Sequence, residues 1–408
     1  MEDRRTLLVR ISGRDQPGIT AALLSLLAAD GVDVDDIEQV TTRNRLTLDV
    51  VVALPESDVA LKDLLFLGWE RGLSIDFEVV EPSVAQPLFR HALTVIGLPL
   101  TTAALAAVAG EIAAAGANID RITRLSRHPV VSYELVVSGG DVDGLRARLV
   151  AVSAEQGIDI AVQREGLERR AKRLVVMDVD STLIQDEAIE LLAREAGRED
   201  AVAVITERAM AGDMDFEAAL RARVELLAGL DLASVERVRE RLRLTPGART
   251  FLRTLKRLGY RLALVSGGFT VFTDVLRAEL GIDHAFANQL EVVDGRLTGR
   301  LVGPIVDRVR KAEILEDVAG REGVPLEQVV AIGDGANDLD MLARAGLGIA
   351  FNAKPIVREA ADTAVSVPYL DAVLFVLGIR RDDIDLADDE ESGPHGLATV
   401  TGDARPGV

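Results

Sequence analysis

The chain contains no cysteine. That excludes a disulfide framework, a thiolate zinc or iron–sulfur site and a thiol nucleophile. Histidine occurs only at His91, His128, His284 and His395, without the close spacing a histidine-built metal centre uses. Aromatic residues make up 3% of the sequence, so Ala, Val, Leu and Ile must build the interior. Lysine is confined to Lys62, Lys172, Lys256, Lys311 and Lys354, which makes each of them worth locating. No uncharged apolar run reaches the roughly 18 residues of a membrane-spanning helix. The opening MEDRRTLLVR lacks the apolar stretch of a secretion signal, so a soluble cytoplasmic protein is expected.

What is present is a chain of 408 residues, 48% hydrophobic, which is long enough for two to four domains with real cores. Acidic residues number 66 against 46 basic ones, a net charge of −20. Polyanions would be repelled, so neither a nucleic-acid nor a membrane-surface partner is expected.

The first part of the chain is an internal repeat. GVDVDDI at Gly31–Ile37 returns as GANIDRI at Gly116–Ile122. Each copy opens on an apolar strand, Leu7–Ser12 or Ala92–Gly97, followed by a turn and a periodic helix, Ile19–Ala29 or Thr102–Ala115. An alternating strand comes next, Leu46–Leu54 or Val131–Gly139, and the remainder of each copy predicts a second helix and a closing strand. Each copy therefore predicts a βαββαβ, ferredoxin-like α+β domain, over residues 1–84 and 88–165, with Pro82 and Pro87 marking the boundary.

The run Arg164–Arg173 predicts a charged linker. Beyond it, over residues 172–380, strands alternate with helices, as in a Rossmann-like, doubly wound parallel α/β sheet. The predicted strands are Leu174–Val179, Arg261–Ser266, Val329–Asp334 and Gly348–Phe351. Only helical periodicity fills Glu187–Arg243, which predicts a helical cap insert over about residues 186–245. Asp-Gly inside Leu290–Val302 signals a hairpin. Residues 381–408, acidic with Gly and Pro, are expected to be a disordered tail.

Four signals carry chemistry, and all but one end a predicted strand, the edge of an open α/β sheet where ligands bind. DVDST at Asp178–Thr182 brings two carboxylates to one opening, although alone it also fits a turn capping the next helix. GDGANDLDM at Gly333–Met341 adds Asp334 and Asp338 among glycines, and two acidic strand ends suit Mg²⁺, a hard cation. SGGF at Ser266–Phe269 offers a hydroxyl and free N–H groups to an anion. The fourth, Lys311, lies on the helix after the hairpin and alone would read as a surface lysine.

Taken in order, Asp-x-Asp, Ser-Gly, Lys and Gly-Asp-x-x-x-Asp resemble the haloacid dehalogenase superfamily of phosphotransferases. The resemblance implies that Asp178 is the nucleophile that forms an aspartyl-phosphate, and that Asp180 protonates the leaving oxygen and then activates water. It also implies that Ser266, the Gly267 N–H, Lys311 and Asn337 contact the phosphoryl group or substrate. Mg²⁺ would lie on Asp178, Asp334 and the Asp180 carbonyl. The insert, with EAIELLA at Glu187–Ala193 and the segment Ala209–Leu230, resembles the cap of the phosphoserine phosphatases. There Glu187 would face the substrate amine and Arg223 its carboxylate, with Met210 and Phe216 as apolar walls. This implies Mg²⁺-dependent hydrolysis of L-phosphoserine to L-serine and phosphate, the last step of serine biosynthesis.

The repeats resemble ACT domains, amino-acid-binding modules that often pair across subunits. Their arrangement ahead of such a core resembles the long, actinobacterial form of the family. RDQPGIT at Arg14–Thr20 resembles the ligand-facing turn, with Asp15 and Gly18 as candidates for an L-serine effector site at a homodimer interface. The corresponding GLPLTT at Gly97–Thr102 lacks the acid. Two rivals stay open: a phosphatase of another small phosphate ester, and an amino-acid sensor with a vestigial phosphatase domain.

Overall fold

The computed structural model of the chain describes residues 5–54, 59–80, 90–210 and 213–391. It forms two compact units, Met1–Pro87 and Leu88–Val408. The predicted Pro82/Pro87 boundary lies outside the described residues.

In the first unit, β1 (Arg5–Arg14), β2 (Asp33–Thr42), β3 (Arg45–Leu54) and β4 (Ser74–Val79) form an antiparallel sheet in the order β2-β3-β1-β4. Alternation does the sorting. Leu7, Val9 and Ile11 turn inward with Leu46, Leu48, Val50 and Val52, against Ile19, Leu23 and Leu27 of one helix and Ala60 and Leu64 of the other.

The second unit begins with the other copy of this motif. Its strands β5 (Arg90–Gly97), β6 (Ala117–Ser126), β7 (Val131–Gly139) and β8 (Asp159–Arg164) follow the same order, β6-β7-β5-β8. The copies differ at the first turn. Gly18, with φ 90°, starts the helix Ile19–Ala29 without a side-chain cap, whereas Thr101 Oγ1 accepts from Ala104 N at 3.1 Å to start Thr102–Ala114.

The core sheet holds β9 (Leu174–Met177), β10 (Arg261–Phe269), β11 (His284–Val293), β12 (Arg296–Val302), β13 (Val329–Gly333), β14 (Leu347–Phe351) and β15 (Thr363–Val365). Their order is β12-β11-β10-β9-β13-β14-β15, parallel except for the β11–β12 hairpin. Apolar runs in the central strands serve two faces at once. Val175 and Met177 face the helix Ala248–Arg257 through Phe251 and Leu255, while Leu174 and Val176 face the helix Arg308–Glu322 through Leu315 and Val318. The chain leaves β9 for β10 on one side and later returns to β13 on the other, so the carboxyl end of β9 is a topological switch point.

The predicted helical insert consists of Ala188–Glu195, Glu199–Met210, Phe216–Glu225 and Leu232–Arg239. Its apolar faces meet Phe269 and Phe272 of the core and Leu290 and Leu297 of the hairpin.

Two expectations are corrected. Residues 164–173 are not a solvated linker. Arg169, 8% exposed, pairs with Glu134 and Glu165, and Lys172 donates to the carbonyls of Glu327 and Gly346. The charged run therefore fastens the second repeat to the core, whose shared apolar cluster includes Ile96, Leu125 and Ala161. Nor does the acidic tail begin at 381. Arg381–Glu391 is a helix that buries Ile384, pairs Arg381 with Asp371 at 2.6 Å and brings Asp388 to Arg253 and Arg257. Basic partners on the core offset its acidity, and residues 392–408 lie outside the described residues.

Candidate active site

Asp178 ends β9 and is buried, and its Oδ1 accepts from Val179 N at 2.7 Å. The chain then turns back tightly through Val179–Leu183, with Ser181 in the left-handed region at φ 56° and Ile184 N bonded to Val179 O at 2.9 Å. The tight turn brings Asp178 and Asp180 to one opening. Asp180 is held on both oxygens: Ala188 N donates to Oδ1 at 2.7 Å and Ser266 Oγ to Oδ2 at 3.0 Å. Gly268 N in turn donates to Ser266 Oγ at 2.8 Å, and a Cβ on Gly268 would lie 2.7 Å from Asp180 Oδ2. Only glycine leaves room for that approach.

The sole lysine of the helix Arg308–Glu322 is fully buried. Lys311 Nζ lies 2.8 Å from Asp178 Oδ2 and 2.7 Å from Asp338 Oδ1. Burial opposes its charge, but the two carboxylates more than offset that and raise its pKa. Gly335 N donates to the other Asp338 oxygen at 3.0 Å. Asp334, at the end of β13, accepts from Thr182 Oγ1 at 3.2 Å. Burial, followed by the charge of Asp338, pushes Asp334 up to about 6, with Lys311 and Thr182 pulling the other way. Asp178 and Asp180 are also raised, chiefly by burial.

Above this floor lies a cavity of about 550 Å³. Of the expected site residues, Asp178, Asp180, Glu187, Arg223, Gly267, Asp334 and Asn337 line it, and Phe216 forms an apolar wall. The side chain of Met210 lies outside the described residues. Ser266 and Lys311 lie behind the wall rather than on it, and contact the acids that do line it. Glu187, exposed toward the cavity, accepts from Ser181 Oγ at 2.8 Å; partial loss of water there, then the neighbouring Asp180, pushes it up to about 7. Arg223 donates Nε to Ala219 O at 3.3 Å, and burial lowers its pKa against the pull of Glu187, Glu190 and Asp180.

Three contributions escaped the sequence reading. Asp338 is the lysine's second partner, Thr182 holds Asp334, and Lys354 lines the cavity from the turn after β14. Lys354 was findable, since it is one of few lysines and follows a strand end. The other two depend on β9 and β13 being neighbours.

The acids fit a hard divalent cation. Asp178, Asp334 and Asp338 each offer an oxygen within 4.8 Å of the others. Asp178 and Asp338 each pair with Lys311 and with a backbone N–H, whereas Asp334 accepts only from the Thr182 hydroxyl, so Asp334 with one of its neighbours gives the one or two carboxylates a hard divalent cation takes.

In the first unit, Asp15 N donates to Asn44 O at 2.9 Å and Asp15 Oδ2 accepts from Thr41 Oγ1 at 3.3 Å, beside the Gly18 turn.

Strand-end acids around a buried lysine, under a helical cap, define a phosphotransferase-type hydrolase. Residues 175–343 match the haloacid dehalogenase-like hydrolase family, and residues 5–78 and 90–163 each match the ACT domain. The chain is 55% identical to a phosphoserine phosphatase of Streptomyces coelicolor, over 96% of this chain and 98% of that one. It is 49% identical to a phosphoserine phosphatase of Mycobacterium tuberculosis, again over 96% and 98%. A crystal structure of a probable phosphoserine phosphatase from Vibrio cholerae is 35% identical with a TM-score of 0.57, covering 74% of this chain and 88% of that one. The chain belongs to the phosphoserine phosphatase family of haloacid dehalogenase-like hydrolases.

Proposed function

We propose that this protein hydrolyses L-phosphoserine to L-serine and phosphate, as the last step of serine biosynthesis, through an aspartyl-phosphate on Asp178. The observation that carries the reading is the pair of opposite charges, Glu187 and Arg223, lining the same cavity as Asp178 and Asp180. A zwitterionic amino acid needs one anion and one cation beside its reacting group, and an arginine fork suits a carboxylate.

In this mechanism Asp178 attacks phosphorus and the serine oxygen leaves with a proton from Asp180, whose burial favours the protonated form. Asp180 then takes a proton from water as that water attacks the aspartyl-phosphate, which regenerates both acids. A phosphoryl group on Asp178 would have Lys311 beside it, already 2.8 Å from Oδ2. Gly267 N–H and Asn337, which line the cavity, and Ser266, once its hydroxyl turns from Asp180, would complete the contacts to the phosphoryl oxygens or substrate. Asp178, Asp334 and the Asp180 carbonyl would hold Mg²⁺, which when bound offsets repulsion between the attacking carboxylate and the anionic ester.

We also assign Asp15 and Gly18 to an effector site for L-serine at the ACT domains, in a cytoplasmic homodimer. Among the described residues no helix is long and apolar enough to cross a membrane.

Phosphate release from L-phosphoserine, phosphothreonine and a sugar phosphate, with and without Mg²⁺, tests the substrate. Selective, Mg²⁺-dependent turnover of L-phosphoserine is expected. Preference for the sugar phosphate would overturn the cap assignment, and silence on all three would favour the sensor.

A further inference from the structure

The seam between the second repeat and the core carries another pocket, of about 500 Å³ and open to solvent past Arg146 and Val150, outside the site described above. Its size is that of a small-molecule site, and junctions between domains are where such sites concentrate. The repeat side supplies Arg146, Val150, Ile160 and Val162, and the core side supplies Arg358 and Ala364. The seam is firmly closed at its edge: Ser366 N donates to Asp159 Oδ2 at 2.6 Å and Gln163 Nε2 to Val376 O at 2.7 Å. A cavity persisting beside such contacts is part of the packing rather than a gap between loosely associated bodies.

Its charges are unevenly satisfied. Among the described residues neither Arg146 nor Arg358 forms an ion pair within 4.0 Å, although Arg358 is near enough to favour the charge of Asp159; Arg146, at the open side, donates Nη2 to Val162 O at 2.8 Å. The acids nearby are partly engaged. Asp159 accepts from Ser366, and Asp362, which lines the cavity, accepts from Gly348 N at 2.8 Å. Glu359, also on the lining, is exposed. Two guanidinium groups among aliphatic side chains match a carboxylate carried on a small apolar body.

The cavity is also joined to the candidate active site by one short element. The helix Pro355–Ala360 puts Pro355 and Arg358 on the seam cavity, while Lys354, immediately before it, lines the other cavity. Val357 N and Arg358 N both bond to Lys354 O, at 2.9 and 3.1 Å. A displacement at Arg358 therefore reaches Lys354 through a single hydrogen-bonded turn.

We propose that the seam cavity binds a small amphipathic carboxylate on Arg146 and Arg358, and that its occupancy alters substrate handling through Lys354. The second half rests on the phosphatase reading; the binding half does not.

Saturation-transfer NMR on the full chain, with 3-phenylpropionate as probe and 3-phenylpropan-1-ol as its uncharged control, tests the binding. The carboxylate should bind wild type and Asp178→Asn alike. The alcohol should bind about tenfold or more weaker, and the Arg146→Gln/Arg358→Gln double variant should lose about as much. Val150→Asp, on an exposed lining position, sets a repelling charge in the cavity and serves if the double variant does not fold. The probe should also shift the KM for L-phosphoserine by about fivefold in wild type and leave the double variant unmoved. Equal binding of acid and alcohol, wild-type binding in both variants, or displacement of the probe by L-serine would overturn the site. Binding with an unchanged KM would overturn the coupling. A protein inactive on L-phosphoserine would refute the substrate while leaving every binding result readable.

Discussion

The floor and the roof of the catalytic cavity are built differently. On the floor, Asp178, Asp180, Lys311 and Asp338 are tied to one another or to backbone N–H groups, and Lys311 has no exposed surface. On the roof, Glu187 has one hydroxyl partner and Arg223 one long bond to a carbonyl. Phosphoryl transfer is mainly a matter of positioning and charge placement, which a rigid floor supplies before substrate arrives. Substrate selection needs charges that gain more from the ligand than they lose on leaving their neighbours. Arg223, half-buried, and Glu187, open to the cavity, are only lightly engaged and meet that condition.

The largest effect should come from breaking the floor. Asp178→Asn removes the proposed nucleophile while keeping its shape, and turnover should fall by at least about 10⁴-fold, as for other covalent nucleophiles. Steady-state phosphate release measures it, and the melting temperature shows whether the fold persists.

Breaking the roof should cost less and act selectively. Removing a charged hydrogen bond at Arg223→Ala should lower kcat/KM for L-phosphoserine by about 10- to 200-fold. Phosphoethanolamine, which lacks the carboxylate, should be nearly indifferent to that change. Equal losses on both substrates would mean that Arg223 supports the cap rather than the carboxylate.

Between these lies the support beneath the floor. Thr182→Val keeps the volume but removes the hydroxyl from Asp334. If Asp334 holds Mg²⁺ as proposed, the Mg²⁺ requirement should rise by about 10- to 100-fold, the usual effect of losing a partner of a metal ligand, with kcat at saturating Mg²⁺ almost kept. The rise in melting temperature on adding Mg²⁺ should shrink in parallel, which gives a readout independent of activity.

The smallest effect is a pH limb. With Glu187 raised to about 7, it is neutral below that pH and cannot pair with a substrate ammonium. In the wild type kcat/KM should climb as pH rises through 7, and Glu187→Gln should flatten that climb. The stability sign is opposite. A carboxyl whose folded pKa lies above its unfolded value retains its proton in the folded state, so the ligand-free protein loses stability as pH rises through the interval. Thermal melts of wild type and Glu187→Gln across this range should converge at low pH and separate near neutrality.

How much of this was legible in the sequence follows from how local each signal is. Asp178, Asp180, Ser266 and Asp334 each stand at or just past an apolar run, so their strand-end position can be read from neighbouring residues. Lys311 and Asp338 were both noticed, but their 2.7 Å pairing is a tertiary fact. Asp338 is thereby drawn to the lysine rather than left as a free carboxylate. The hairpin was plain from Asp294-Gly295, whose φ values of 50° and 74° are those its turn demands. Charge misled twice. Arg169 and Lys172 look like a solvated run, yet both are buried against carboxylate and carbonyl partners. In the helix Arg381–Glu391 the informative residue is one buried isoleucine, Ile384, among acids.

In the proposed reaction a phosphoryl group passes through Asp178. Rapid acid quenching of the enzyme during turnover of phosphorus-labelled L-phosphoserine, followed by peptide mapping, tests this directly. A hydroxylamine-sensitive acyl-phosphate is expected on the peptide carrying Asp178 and is absent from Asp178→Asn. Label on a different residue, or turnover with no protein-bound phosphate at any quench time, would contradict it.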